Sequence, residues 1–137
     1  MNVFLDDIRI PSISHNQTKG LGPKYSDLEN WTIVRDYFEF KYVIDNYFDQ
    51  INLVSFDHDL AHQEGDTEYT GKTAADYLIN YCIDNKKTFP SWYVHSDNLS
   101  GKANIIGLIV SYLKKIELKD LSDFRYFHNG FVNGKPV

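Results

Sequence analysis

Four short apolar runs, separated by segments with helical spacing, constrain this chain more than any other feature of its sequence. Residues 1–5, 31–34, 51–56 and 92–94 are rich in β-forming side chains and too short for helices. After the second run, Asp36 followed three residues later by Glu39 has a capping-box pattern. Phe40, Val43, Ile44, Tyr47 and Phe48 then recur at helical spacing, which predicts a helix over 37–48 with one apolar face. Ala74, Tyr77, Leu78 and Tyr81 predict a second helix over 73–85. A third is predicted from 101 or 102 to about 115, capped by Ser100. The order β–loop–β–α–β–α–β–α favours a mainly parallel sheet with helices on its faces. Right-handed crossovers and neighbour pairing then give a three-layer, doubly wound α/β fold with strand order 2-1-3-4. Residues 12–30 hold Asn16, Gly20, Gly22, Pro23 and Asn30 and read as a long loop, with at most a partial helix at 25–29. Residues 61–72 read as an acidic loop carrying Glu64, Asp66 and Glu68, solvated or acting as a lid hinged at Gly65 and Gly71. The turn signals Asn129-Gly130 and Asn133-Gly134 suit an extra C-terminal strand or hairpin, or a dimer contact.

A length of 137 residues supports one domain with a real core. Fourteen lysines and arginines against nineteen aspartates and glutamates leave a formal charge of −5. Duplex DNA needs a basic face to displace its counterions, so it is not an expected partner. No basic segment with an apolar stretch leads the sequence. The most apolar region, 103–113, is broken by Asn104, Gly107 and Ser111, well short of the roughly 20 residues of a membrane span. A membrane is therefore not an expected partner either, and the expected compartment is the cytoplasm. A lone cysteine, Cys82, fits a reducing compartment and, beside Leu78 and Ile79, reads as buried packing. Mild acidity still leaves room for a small phosphate ligand in a local pocket.

Three of the four strands end in ionisable or polar residues: Asp6-Asp7-Ile8-Arg9, Asp57-His58-Asp59 and His95-Ser96-Asp97-Asn98. Each alone is an ordinary solvated loop. In the sheet just derived, all three leave the same edge, near the point between the first and third strands where strand order reverses and ligands bind. Like charges held close raise one another's proton affinity unless a cation or phosphate intervenes, so stability alone would not select this gathering. His58 and His95 suit general acid–base work, oriented by Asp57, Asp59 and Asp7. Arg9 offers paired donors to phosphate oxygens. Ser96, Asn98 and Ser100 offer more at the start of the last helix, where the dipole favours an anion. This scheme requires no cofactor. The same groups permit a second one, in which Asp6, Asp7 and Asp57 hold Mg2+ through hard oxygen ligands. The run His58-Asp59-Leu60-Ala61-His62 imitates a two-histidine zinc pattern, but that pattern needs a helix and this one follows a strand. Zinc is not expected; His62 reads as a loop residue, and His15 and His128 as exposed. Tyr69 and Trp92 border the site, either stacking on a base or packing.

The segments Phe4-Leu5-Asp6-Asp7-Ile8-Arg9, residues 31–35, Ser55-Phe56-Asp57-His58-Asp59-Leu60, Thr70-Gly71 and Val94-His95-Ser96, in this order, resemble the cyclic-phosphate-processing receiver-like family. That family is a branch of the response-regulator receiver fold, and the resemblance runs from residue 1 to about 115. It implies a flavodoxin-like fold, with 1–137 as one receiver-like domain, a core over about 1–115 and a C-terminal extension over 116–137. It also implies a role in hydrolysing cyclic phosphate ends, in RNA repair or nucleotide signalling. Asp6 and Asp7 match the family's acidic pair, Asp57 stands where a receiver carries its phospho-accepting aspartate, and His58, Asp59 and His95 set the branch apart. The expected function is a phosphoesterase acting on a cyclic phosphate in a nucleotide or ADP-ribose derivative. Its expected partner is a small phosphorylated nucleotide or ribose ligand, or an RNA end. Two alternatives stand beside it: a phospho-accepting receiver using Asp57 and Mg2+, and a protein that sequesters a cyclic nucleotide without turning it over.

Overall fold

The computed structural model describes residues 1–11, 31–117, 130–132 and 135–136. Its strands are β1 (Asn2–Leu5), β2 (Trp31–Val34), β3 (Leu53–Phe56), β4 (His62–Glu64), β5 (Thr67–Tyr69), β6 (Ser91–Val94), β7 (Gly130–Val132) and β8 (Lys135–Pro136). Three α-helices are described: α1 (Tyr37–Tyr47), α2 (Gly71–Asn85) and α3 (Leu99–Glu117), with a short 3-10 turn, Phe48–Gln50, after α1. The main sheet has the order β2-β1-β3-β6-β7-β8. Its first four strands are parallel and stand in the predicted 2-1-3-4 order. The C-terminal residues add the extra hairpin, β7 pairing antiparallel with β6 and with β8. Leu5, Val34, Phe56 and Val94 are matched across neighbouring strands, so the chain leaves all four strands at one level.

Side chains alternate across the sheet. Val3, Leu5, Val54, Phe56, Trp92 and Val94 face the helices, meeting Phe40 and Ile44 of α1, Leu78 and Cys82 of α2, and Ile105 and Ile109 of α3. Phe4, Trp31, Leu53 and Tyr93 form a second cluster on the opposite face. Trp92 is therefore core, not a base-stacking ring at the site. Cys82 is buried as expected, and burial pushes its thiol up to about 12.

Caps account for the helix boundaries that the periodicity misses. Asp36 accepts from the Glu39 N–H at 2.8 Å, and the Glu39 carboxylate accepts from the Arg35 N–H at 2.8 Å. Helix α2 starts at Gly71 because Thr70 and Thr73 cap it reciprocally. Helix α3 starts at Leu99: Asn98 Oδ1 accepts from the Gly101 N–H at 2.9 Å, so Asn98 is the cap and Ser100 lies exposed in the first turn.

The predicted acidic loop holds the β4–β5 hairpin instead, turning at Gly65 with φ +60°. Its strands are mostly solvent-exposed and carry no buried alternation to betray them. The rings of His62 and Tyr69 pack against Phe38 of α1. Gly71 cannot act as a hinge, since a Cβ there would lie 1.7 Å from the Asp57 carbonyl oxygen. No helix among the described residues is long and apolar enough to cross a membrane. His15, His128 and the partial helix at 25–29 lie outside the described residues.

Candidate active site

Each strand end contributes a short polar loop to one edge of the sheet. Asp6, the first residue after β1, uses Oδ1 to accept from the backbone N–H groups of Ile8 at 3.0 Å and Arg9 at 2.8 Å, which folds the 6–9 loop back on itself. Arg35, just after β2, clamps that loop by donating to the carbonyls of Asp6 at 3.1 Å and Arg9 at 2.6 Å. Behind the loop, Asp6 Oδ2 lies 3.1 Å from His95 Nε2, and His95 Nδ1 lies 2.7 Å from Ser55 Oγ. The His95 ring stacks on Phe4 at 4.3 Å between centroids, nearly parallel.

Burial raises the proton affinity of Asp6, but the bond to His95 and the two backbone N–H groups outweigh it, and the carboxyl is held below its usual range. Burial likewise holds His95 toward its neutral form despite its partner. Asp57, the first residue after β3, is pushed the other way. Burial and then the charge on Asp6 raise it to about 6, opposed by the His58 N–H at 2.9 Å and by Ser96. Asp7 is raised for the same two reasons, to a lesser degree.

A cavity of about 190 Å³ opens beside these groups, lined by Asp6, Asp7, Ile8, Arg9, Asp57, Asp59, Ser96, Asp97 and Asn98. It takes in most of the site residues predicted from sequence and leaves three out. The His95 side chain has no exposed surface and sits behind Asp6. The His58 ring donates or accepts at Asp59 Oδ1, 2.7 Å away, and presses on α3, where a Cβ on Gly101 would fall 2.3 Å from its Cγ. Ser100 is exposed outside the lining. A pair of histidines sharing one phosphate is thus not what this edge presents; carboxylates face the opening. Asn98 ties the rim together: its Nδ2 donates to Asp59 at 3.2 Å, while its Oδ1 caps α3. Asp59 is held below its usual range by the bond to His58, against the effect of burial.

Arg9 reaches across the opening to Asp97, Nη2 to Oδ2 at 2.5 Å. Its Nη1 is buried with no partner. Oxygen donors suited to a divalent cation are also close by. One ligand atom from each of Asp6, Asp57 and His95 lies within 4.8 Å of the others, and Asp7 lines the same cavity. The carboxylates fit Mg2+, whose preference is for oxygen, and their mutual repulsion is what such an ion relieves. His95 does not fit as a ligand here, because the nitrogen nearest the site faces the Asp6 carboxylate.

Sequence reasoning assigns no role to Ser55, Arg35 or Asp97. Ser55 leaves a readable trace, a hydroxyl inside an otherwise apolar strand; Arg35 and Asp97 act through the loops they join and leave none.

No curated protein and no solved structure matches this sequence. A family model does: the one described as the cyclic-phosphate processing receiver domain matches residues 1–111. That span contains all four parallel strands, the whole of α1 and α2, α3 as far as residue 111, and every residue lining the cavity. By this match and by its receiver-like strand order, the chain belongs to the cyclic-phosphate processing receiver domain family.

Proposed function

We propose that the protein hydrolyses a cyclic phosphate on a nucleotide or ribose derivative, in the cavity at the carboxyl edge of its sheet. One observation carries the reading: Arg9, whose Nη1 is buried without a partner, lines a cavity together with Asp57, Ser96 and Asn98. An unpaired buried donor costs about 1–3 kcal/mol, and a phosphate oxygen would recover it through a charge-assisted bond. Ser96 and Asn98 line the same cavity, tied to Asp57 and Asp59.

The reaction asks little more of the chain than position and one proton carrier. Water attacks phosphorus, one P–O ester bond breaks, and the leaving oxygen takes up a proton. Asp57 is suited to take that proton from water and return it to the leaving oxygen, since its proton affinity lies near neutrality. His95 orients Asp6, and Asp59 holds both His58 and Asn98 at the rim. If Mg2+ is bound, Asp6, Asp7 and Asp57 would hold it, and it would offset phosphate charge.

Arg9→Ala is expected to raise the KM for a cyclic phosphate by about 10- to 100-fold, the worth of a charged hydrogen bond. Arg9→Lys is expected to recover only part of this, because the ammonium lacks the two-pronged geometry. Product formation measured by mass and binding by calorimetry check both; a wild-type KM in Arg9→Ala would remove the phosphate site. A second reading has its own observation in Asp57, which directly follows β3 and lines the cavity with the acidic pair as a phospho-accepting aspartate would. Labelling by a small phosphodonor with Mg2+, lost in Asp57→Asn, would favour that reading over hydrolysis.

A further inference from the structure

The two most exposed large apolar side chains among the described residues stand beside the cavity. Ile8 is 77% exposed and Leu99 80%, against at most 60% for any other large hydrophobic residue described. One such side chain alone would need no explanation. These two come as a pair. Ile8 lines the cavity, and Leu99 directly follows Asn98, which also lines it. Arg9, next to Ile8, is paired with Asp97, two residues before Leu99, so one ion pair joins the loops that carry both. The backbone at each position is fixed: the Ile8 N–H donates to Asp6 at 3.0 Å, and Leu99 opens α3 just after its cap, Asn98. Both side chains nevertheless remain in water, where covering them is favourable.

The size of the cavity decides what must lie outside it. At about 190 Å³ it is smaller than the roughly 300–1,000 Å³ of a site that encloses a whole small ligand. Its lining is charged or polar apart from Ile8, which suits a phosphate and part of a sugar. A nucleobase on that sugar would be left at the mouth, offering the apolar faces of a flat ring where Ile8 and Leu99 stand. Tyr69, the ring that sequence places near the site, is already stacked on Tyr37 at 5.3 Å and packed against Phe38 at 5.1 Å. A protein partner would need roughly 800 Å² of matching surface, which two side chains around a charged opening do not supply.

We propose that Ile8 and Leu99 hold the nucleobase of the substrate at the mouth of the cavity, so that the protein selects cyclic nucleotides over cyclic phosphates of base-free sugars. The inference rests on a phosphate lying in the cavity, as proposed above, and narrows that reading to nucleotides. Apolar contact supplies the selection, so its scale follows from the area each side chain loses to water.

The test is binding by calorimetry, and turnover, of 2′,3′- and 3′,5′-cyclic AMP beside the matching methyl ribofuranoside cyclic phosphates, which lack the base. Full-length wild type, Ile8→Ala, Leu99→Ala and Leu99→Met are compared. Both side chains are exposed, so alanine removes no packing from the free protein. Methyl 1H–13C spectra of isoleucine- and leucine-labelled protein follow the two residues during each titration. The wild type should bind one cyclic AMP about 10- to 100-fold more tightly than its base-free counterpart, and each alanine should cut that ratio about 10-fold. Leu99→Met, which keeps an apolar side chain of similar size, should restore most of it. The Ile8 and Leu99 methyl signals should move with cyclic AMP, under the field of the base ring, and far less with the base-free compound. Equal wild-type affinities for the two classes overturn the inference and leave hydrolysis in the cavity standing. A ratio unchanged in both alanine variants overturns it as well. So do methyl signals that move with protein concentration and not with cyclic AMP, the mark of a second copy on this surface. A preference for the base without turnover of any ligand upholds the inference and defeats hydrolysis alone, whereas binding of no ligand defeats both.

Discussion

Asp57→Asn is expected to lower turnover by about 10²- to 10⁴-fold, the usual worth of a positioned proton carrier, while leaving the protein at least as stable at pH 7. The substitution keeps an oxygen to accept from the His58 N–H and removes a charge held close to Asp6. The sign of the stability effect follows from linkage. Asp57 titrates at about 6 in the folded chain against an ordinary value of 3.8, so between those values the folded state holds a proton the unfolded state has lost. Its contribution is therefore favourable at low pH and is lost as pH rises from about 4 to about 6. Over that window the wild type should lose roughly 2–3 kcal/mol relative to Asp57→Asn. Denaturant unfolding of both proteins at pH 4 and pH 7 measures this difference. A variant destabilised equally at both pH values would show that Asp57 carries no such cost. Asp6 acts oppositely, since its lowered proton affinity favours the folded state above the ordinary carboxylate range and the benefit fades as pH falls below it.

Gly71→Ala is expected to be the most disruptive single-methyl substitution in the described chain. The added Cβ would lie 1.7 Å from the Asp57 carbonyl oxygen and 2.8 Å from its carbon. The neighbour is backbone and cannot rotate away. The Gly71 N–H also donates to the His58 carbonyl at 2.8 Å, so helix α2 and the Asp57-His58 segment are fastened at the point of collision. Either the first turn of α2 unwinds or the site loop shifts; the cost should be roughly 3 kcal/mol or more, with loss of phosphate binding. Gly107→Ala is the matched control. That glycine is exposed on α3 with nothing near its would-be Cβ, so alanine there should stabilise by about 0.5–1 kcal/mol. Thermal unfolding of the two variants separates them, and near-equal shifts would discredit the packing described at Gly71.

The fold was largely legible because each strand and helix carries its own local signature. Residues 31–34 are apolar and bounded, and Phe40, Val43 and Ile44 mark the inner face of α1; the structure buries all three. Starts of α2 and α3 were harder, because Thr70 and Asn98 cap from outside the apolar pattern. The β4–β5 hairpin escaped because its residues face solvent on both sides, and periodicity has nothing to register there. At the site, strand ends told which carboxylates would meet, and Asp6, Asp7, Asp57 and Asp59 do line one cavity. Orientation was not written locally. Whether His95 faces the opening or the sheet depends on the parity of β6, on the stack with Phe4 and on a serine forty residues away. His58 is likewise turned toward α3 by the space that Gly101 leaves.

The central claim is that the cavity hydrolyses a cyclic phosphate. Its most direct test is to incubate the purified protein with 2′,3′-cyclic nucleotides, 3′,5′-cyclic mono- and dinucleotides and ADP-ribose 1″,2″-cyclic phosphate, with Mg2+ or with EDTA, and to weigh the products. The account expects one of these to gain a single water at the phosphate, with the gain lost in Asp57→Asn. Every ligand returned unchanged, whether bound or not, would contradict it.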